Sequence, residues 1–215
     1  IILFLKKMLI EQIDNFLDKD DLNKLISLPL NRVSKNEIKV YHNSIIGKKI
    51  LQSDCIPDNF LVNLNLKYHH RALEILKKIN EKKVDLYDYS EFHIIETGSD
   101  CNFPIHDDTP NKLLSGVIYL KPENNIGTNF YDTKTEQNKK TIEWKINRAV
   151  FFSRVERETW HSYKGDGRSN RIVLVYNLMT KRIRDVFKAE NKNYIYGTLR
   201  YKLNPYIYRF FKKTL

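Results

Sequence analysis

The sequence predicts an α+β domain: N-terminal helices packed on one sheet of a double-stranded β-helix (jelly roll), followed by a basic and aromatic C-terminal extension. Three observations predict it. Apolar residues recur at helical spacing before residue 86. Short apolar runs broken by polar turns, with no helix between them, fill residues 87–180. Past Met179, lysine and arginine mix with tyrosine and phenylalanine. The expected division is a support region at 1–86, a β core at 87–180 and an extension at 181–215, all in one structural domain. With 215 residues and 41% hydrophobic content, the chain can bury a full core.

Residues Ile1–Leu5 are apolar, but Lys6 and Lys7 interrupt them short of the ~20 residues a membrane span requires. No signal-peptide cleavage pattern follows. Met8 opens a segment that reads better as a domain start, so residues 1–7 are expected to be an upstream extension of the reading frame. Asp18–Asp21 supplies an N-cap for a helix running to about Leu28, which Pro29 ends. Ile38–Ile46 alternates apolar and polar residues and reads as one outer strand. A long helix is expected over Pro57–Lys83, capped by Asp58, with Phe60, Leu61, Leu64, Tyr68, Leu76 and Ile79 at helical spacing. It carries His69 and His70, which point about 100° apart and cannot both grip one metal. Strands follow at Phe92–Glu96, Leu113–Leu120, Asn129–Tyr131, Thr141–Trp144, Ala149–Phe152 and Ile172–Leu178.

Formal net charge is +11, which suits nucleic acid, an anionic membrane surface or an acidic substrate. The same charge arises in a chain rich in Lys, Asn, Ile, Tyr and Phe from an AT-biased coding sequence, and no dense basic run concentrates it. Cys55 and Cys101 are too few for a disulfide framework and match no metal-ligand spacing, so a cytoplasmic location is expected. The tail, including Lys181–Lys188, Tyr194–Tyr196 and Tyr201–Phe211, could bind a membrane surface or single-stranded nucleic acid; the reading adopted is a helix and arm packing Tyr and Phe on the outside of the core.

The chemistry concentrates in Phe103-Pro104-Ile105-His106-Asp107-Asp108-Thr109. On a strand, side chains at i and i+2 share a face, so His106 pairs with Asp108 while Asp107 points away. Adding His161 gives two imidazoles and one carboxylate, the set that holds non-heme Fe(II) and leaves positions open for a co-substrate and O₂. His106, Asp108 and His161 are therefore the expected metal ligands and catalytic centre. Arg171 heads the apolar run Ile172–Tyr176 and needs an anionic partner if it points inward. Its planar fork suits a carboxylate, either an internal Asp or Glu or the far carboxylate of 2-oxoglutarate. The loops Asn102–Pro110 and Ser153–Thr159 are expected to border the mouth, where Arg154, Arg157 and Lys164 could draw an acidic or phosphorylated substrate; Trp160 is expected to pack beside His161, and His93 to be structural.

These pieces carry a resemblance. Glu96-Thr97-Gly98, His106-Asp107-Asp108, Ser115 through Lys121, Gly127 through Tyr131, Ala149 through Ser153, Trp160-His161 and Arg171 together resemble the Fe(II)/2-oxoglutarate dioxygenases, within them the prolyl-hydroxylase-like branch. The opening Ile13 through Leu17 resembles the first strand and helix of that branch more weakly. The resemblance implies that His106, Asp108 and His161 bind Fe(II), and that Arg171 and the hydroxyl of Tyr119 hold the distal carboxylate of 2-oxoglutarate, with O₂ as oxidant. Tyr119 is otherwise a core aromatic. Three positions depart from the pattern: Glu96 stands where the family often has tyrosine, Gly127-Thr128 replaces a glycine pair, and Val173 replaces a hydroxyl residue. Glu96 would repel the co-substrate, bind a basic substrate group or point outward.

The function expected is hydroxylation of a small molecule or a prolyl or other protein residue, releasing succinate and CO₂. The alternatives are an oxidative nucleic-acid demethylase, whose arginine arrangement Arg168 and Arg171 do not reproduce, and a non-catalytic jelly-roll binding module.

Overall fold

The structure, a computed structural model, describes residues 10–211; the expectations placed on residues 1–8 lie outside them. The first elements are strand β1 (Ile10–Ile13), helix α1 (Lys19–Ile26), strands β2 (Ile38–Tyr41), β3 (Asn43–Ile46) and β4 (Lys49–Ser53), and helix α2 (Asp58–Asn80), which a 3₁₀ turn continues to Leu86. Then come β5 (Tyr89–Thr97), β6 (Asn102–His106), β7 (Lys112–Lys121), β8 (Thr128–Tyr131), β9 (Lys140–Ile142), β10 (Ala149–Phe152), β11 (Trp160–Lys164) and β12 (Arg171–Met179). Helices α3 (Ile183–Ala189) and α4 (Tyr194–Phe211) end the described chain.

The strands form two antiparallel sheets. The larger runs β1-β10-β7-β12-β5-β3-β4, with β2 also pairing β5, and the smaller runs β6-β11-β8-β9. Central β12 shows how one sequence serves two cores. Its residues are all buried, the near-continuous apolar run of a strand covered on both faces. Ile172, Leu174, Tyr176 and Leu178 join the cluster under the helices, while Val173 and Val175 face Tyr119, Phe130, Ile142, Val150 and Phe152 between the sheets. Helix α2 contributes Leu61, Leu64 and Leu76 to the first cluster, none more than 1% exposed, each burial favouring the fold by about 1.5–3 kcal/mol. Gly116 is required where β7 meets β10, because a Cβ there would lie 2.3 Å from the ring of Phe151.

Several local expectations are corrected. The outer strand predicted over Ile38–Ile46 is two strands broken at His42, whose backbone N–H is taken by Asp54 Oδ2 at 2.7 Å and whose carbonyl accepts from Asp54 N at 3.0 Å. Asp58 does not cap α2; Pro57 occupies the cap, with no side-chain cap bond. The segment expected as loop Asn102–Pro110 is strand β6 as far as His106, and β4 and β11 are further strands that the pattern did not show. In the tail, Val186 and Phe187 of α3 are buried as expected, but Ile195, Tyr196, Leu199, Leu203 and Tyr206 of α4 are exposed rather than packed. Among the described residues no helix is long and apolar enough to cross a membrane.

Candidate metal centre and its cavity

Strand register brings the two histidines together. His106, the last residue of β6, lies directly opposite His161 of β11, with ring centroids 4.2 Å apart. Phe130 flanks His161 from β8, and Phe152 of the larger sheet packs on it with centroids 4.8 Å apart. The chain leaves β6 at His106, so the alternation that singled out Asp108 acts past the strand's end. One ligand atom each from His106, Asp108 and His161 lie within 4.8 Å of one another, the one such cluster among the described residues. Asp107 points the other way, accepting from Thr159 Oγ1 at 2.7 Å and Arg157 N at 2.8 Å. His69 lies elsewhere, its ring tilted against that of Tyr87; His70 is exposed, and His93 accepts from Asn43 N through Nδ1 and faces Glu91 through Nε2.

The hydrogen bonds around the cluster prepare it for a cation. His106 Nδ1 lies 2.9 Å from the Pro104 carbonyl and His161 Nδ1 lies 3.1 Å from the Thr159 carbonyl. A carbonyl only accepts, so each Nδ1 carries the proton and each Nε2 keeps its lone pair for a ligand bond. Burial lowers His161 to about 4 despite the nearby Asp108 charge, so the imidazole is neutral at physiological pH, the form a metal requires. Burial raises Asp108, but the Lys112 charge and the hydrogen bonds from Lys112 and Ser115 outweigh it and hold the carboxyl well below its usual range. Asp108 is therefore ionised.

These groups line a cavity of about 170 Å³ between the sheets, walled by Ile95, Val117, Phe152 and Val175. Arg171 lines the same cavity, opposite Thr97 in the β12–β5 register, and is 5% exposed. Of the partners the sequence left open for it, an internal acid is absent: among the described residues no ion pair involves Arg171, and its Nε has no hydrogen-bond partner. The guanidinium lies among aromatic faces instead, 3.9 Å from the Tyr163 ring centroid, 5.3 Å from that of Tyr119 and 5.4 Å from that of Trp144. Tyr119 meets Arg171 through its ring; its hydroxyl donates to Thr128 Oγ1 at 2.9 Å and accepts from Thr128 N at 3.0 Å.

Glu96 faces the opposite side of β5, buried and accepting from Asn170 Nδ2 at 3.4 Å, so it does not approach the cavity. Arg154, expected at the mouth as a free charge, is 1% exposed. Its guanidinium pairs with Glu190 at 2.9 Å and with Glu156, and its Nε donates to the Asp108 carbonyl at 3.0 Å. Glu190 also takes the buried ammonium of Lys83 at 2.6 Å. Outside the centre, a groove of about 910 Å³ runs past His106 and Asp108, bordered by Lys134, Arg157, Trp160, Tyr201 and Pro205. Sequence reasoning missed Lys112, Ser115 and Tyr163. Tyr163 was within reach, lying two residues after His161 on the same strand.

No family model matches the chain and no curated protein matches its sequence. Solved structures do. A prolyl-4-hydroxylase from Pseudomonas putida superposes with TM-score 0.54 at 15% identity, covering 82% of this chain and 95% of its own. An oxidoreductase of the 2OG-Fe(II) oxygenase family from Burkholderia pseudomallei gives 0.56 at 16% identity, over 79% and 84%. A prolyl hydroxylase from Trichoplax adhaerens, solved with a hypoxia-inducible-factor peptide, gives 0.54 at 15% identity, over 84% and 87%. The chain has the fold these proteins share.

Proposed function

We propose that the chain is an Fe(II)- and 2-oxoglutarate-dependent oxygenase of the prolyl-hydroxylase-like kind, built on a double-stranded β-helix in one structural domain. The observation that carries this reading is the pairing of a His106–Asp108–His161 cluster with an acid-free, buried Arg171 in a single cavity. The donor set fits iron: two imidazoles and one carboxylate hold a divalent cation and leave coordination positions open. The far end of the cavity fits a dicarboxylate. A buried guanidinium without an acid favours an anionic ligand, and Arg171 is directed at one by the rings of Tyr163, Tyr119 and Trp144.

His106, Asp108 and His161 would hold the metal, and Arg171 the distal carboxylate of 2-oxoglutarate, with Tyr119 supporting the guanidinium. Bound iron and keto-acid supply the oxidation, in which O₂ and a substrate C–H bond give a C–OH bond while 2-oxoglutarate becomes succinate and CO₂. The chain's part is orientation and exclusion of water. The Pro104 and Thr159 carbonyls fix both imidazoles, and the apolar wall of Val117, Phe152, Val173 and Val175 keeps the centre dry. The groove that exposes His106 beside Trp160 and Tyr201 suits an extended substrate, which supports a prolyl or other residue of a peptide.

The test is succinate formation with Fe(II), 2-oxoglutarate and proline-containing peptides, comparing the wild type with His161→Ala. Activity lost in the variant supports the reading. Unchanged activity, or a wild type that binds neither iron nor 2-oxoglutarate, sinks it and favours a binding module.

A further inference from the structure

Both oxygens of the Asp108 carboxylate are already engaged by the chain. Lys112, which opens β7, places its ammonium 2.7 Å from Oδ1, and Ser115 donates to Oδ2 at 2.6 Å. The lysine reaches inward, lining the same cavity as His106, His161 and Asn177. Other charged groups nearby have their own partners. Arg154 turns to Glu190, and Glu91 on β5 takes Asn177 Nδ2 at 3.1 Å and lies 3.3 Å from His93 Nε2. The ion partner of Lys112 is thus the one carboxylate of the cluster.

We propose that Lys112 is a built-in cation that holds Asp108 in place while the centre is metal-free, and that competes with the metal for that carboxylate, so setting the protein's metal affinity. This rests on the metal reading above. A metal held by the three ligands must use a lone pair on one of two oxygens that are both engaged. It also brings a double positive charge close to an ammonium that is only 26% exposed. Like charges in a partly dry site repel more strongly than in water, so metal binding must displace or crowd the lysine. Ser115 is neutral and can keep its hydrogen bond, so the carboxylate stays anchored during the exchange.

A merely supporting lysine predicts the opposite sign. If Lys112 only steadied Asp108, its loss would loosen the ligand and weaken metal binding. Titrating the purified protein with Mn²⁺, following the free ion by electron paramagnetic resonance without 2-oxoglutarate or substrate, separates the two. Lys112→Met keeps the length of the side chain and removes its charge, and should bind Mn²⁺ roughly tenfold tighter than the wild type. Lys112→Gln, a second neutral variant, should tighten binding in the same direction. Lys112→Arg keeps the charge and should stay near the wild-type affinity. Equal or weaker binding in the folded neutral variants overturns the proposal, as does tightening in Lys112→Arg as large as in Lys112→Met. A wild type that fails to bind Mn²⁺ overturns the metal reading itself, a separate and recognisable result.

Discussion

Replacing Arg171 with methionine should move stability and co-substrate binding in opposite directions. Arg171 is buried, unpaired with any acid among the described residues, and its Nε has no hydrogen-bond partner. Burying one charge costs several kcal/mol even after relaxation. The three aromatic faces around the guanidinium return about 0.5–2 kcal/mol each. Methionine fills similar length without the desolvation cost, so Arg171→Met should stabilise the ligand-free protein by about 1–3 kcal/mol. In a chain of this size that raises Tm by roughly 2–4 °C per kcal/mol. Binding should suffer in turn. A carboxylate left in the cavity without its cation loses about 3–5 kcal/mol, at least ~100-fold in 2-oxoglutarate affinity. Guanidinium unfolding of the metal-free protein measures the first effect. Quenching of tryptophan fluorescence during 2-oxoglutarate titration with Mn²⁺ present measures the second, with Trp144 reporting from beside the guanidinium. A variant less stable than the wild type that still binds 2-oxoglutarate would show Arg171 to be structural and refute the reasoning.

Two further outcomes are expected. Glu190→Ala leaves the buried Lys83 and Arg154 without their shared anion, and should destabilise the fold by about 3–5 kcal/mol in urea unfolding. Stability should also fall in acid. Asp14 is held below its unfolded value of 3.8 by hydrogen bonds from Arg148 and Lys145; Asp21, despite burial, is held below it by Lys67 and Tyr68. Carboxyls with depressed folded pKa contribute stability that is present above about pH 4 and lost as pH falls through the folded values. Unfolding free energy measured from pH 5 to pH 2 should decline, and less steeply in Asp14→Asn.

What the sequence disclosed, and what it withheld, follows from the range of the interactions. The grouping of His106 with Asp108 and the inward Arg171 were legible because a local period and an apolar strand mark them within a few residues. The larger sheet was legible for the same reason: Ala149–Phe152 and the body of β12 are plain runs. Strand β6 was not, because Pro104 sits inside it; a proline removes a ladder donor, and the strand is tolerated because it lies at the edge of the smaller sheet. Helix α4 was obscured by Gly197 and Pro205, and tertiary contact overrides the propensity at Gly197, where a Cβ would lie 2.7 Å from the Phe187 ring. The Arg154–Glu190 pair and the Lys112–Asp108 pair had no signal that single-sequence reading could use. Arg154 looked like a surface charge because its partner is a distant glutamate, brought near only by the folded chain. The resemblance implied a carboxylate-binding role for the Tyr119 hydroxyl; in the structure that hydroxyl is engaged by Thr128, a neighbour in space, and the ring is what faces Arg171.

The buried Lys83–Glu190–Arg154 cluster ties the loop behind Asp108 to a residue made late in the chain. By the time His161 has left the ribosome, all three candidate ligands exist, and Arg171 follows soon after. At that moment Arg154, whose Nε holds the Asp108 carbonyl, has Glu156 beside it but still lacks Glu190, the carboxylate it shares with Lys83. The loop behind Asp108 is therefore fully braced only once the chain has been made as far as the residue that follows the third helix.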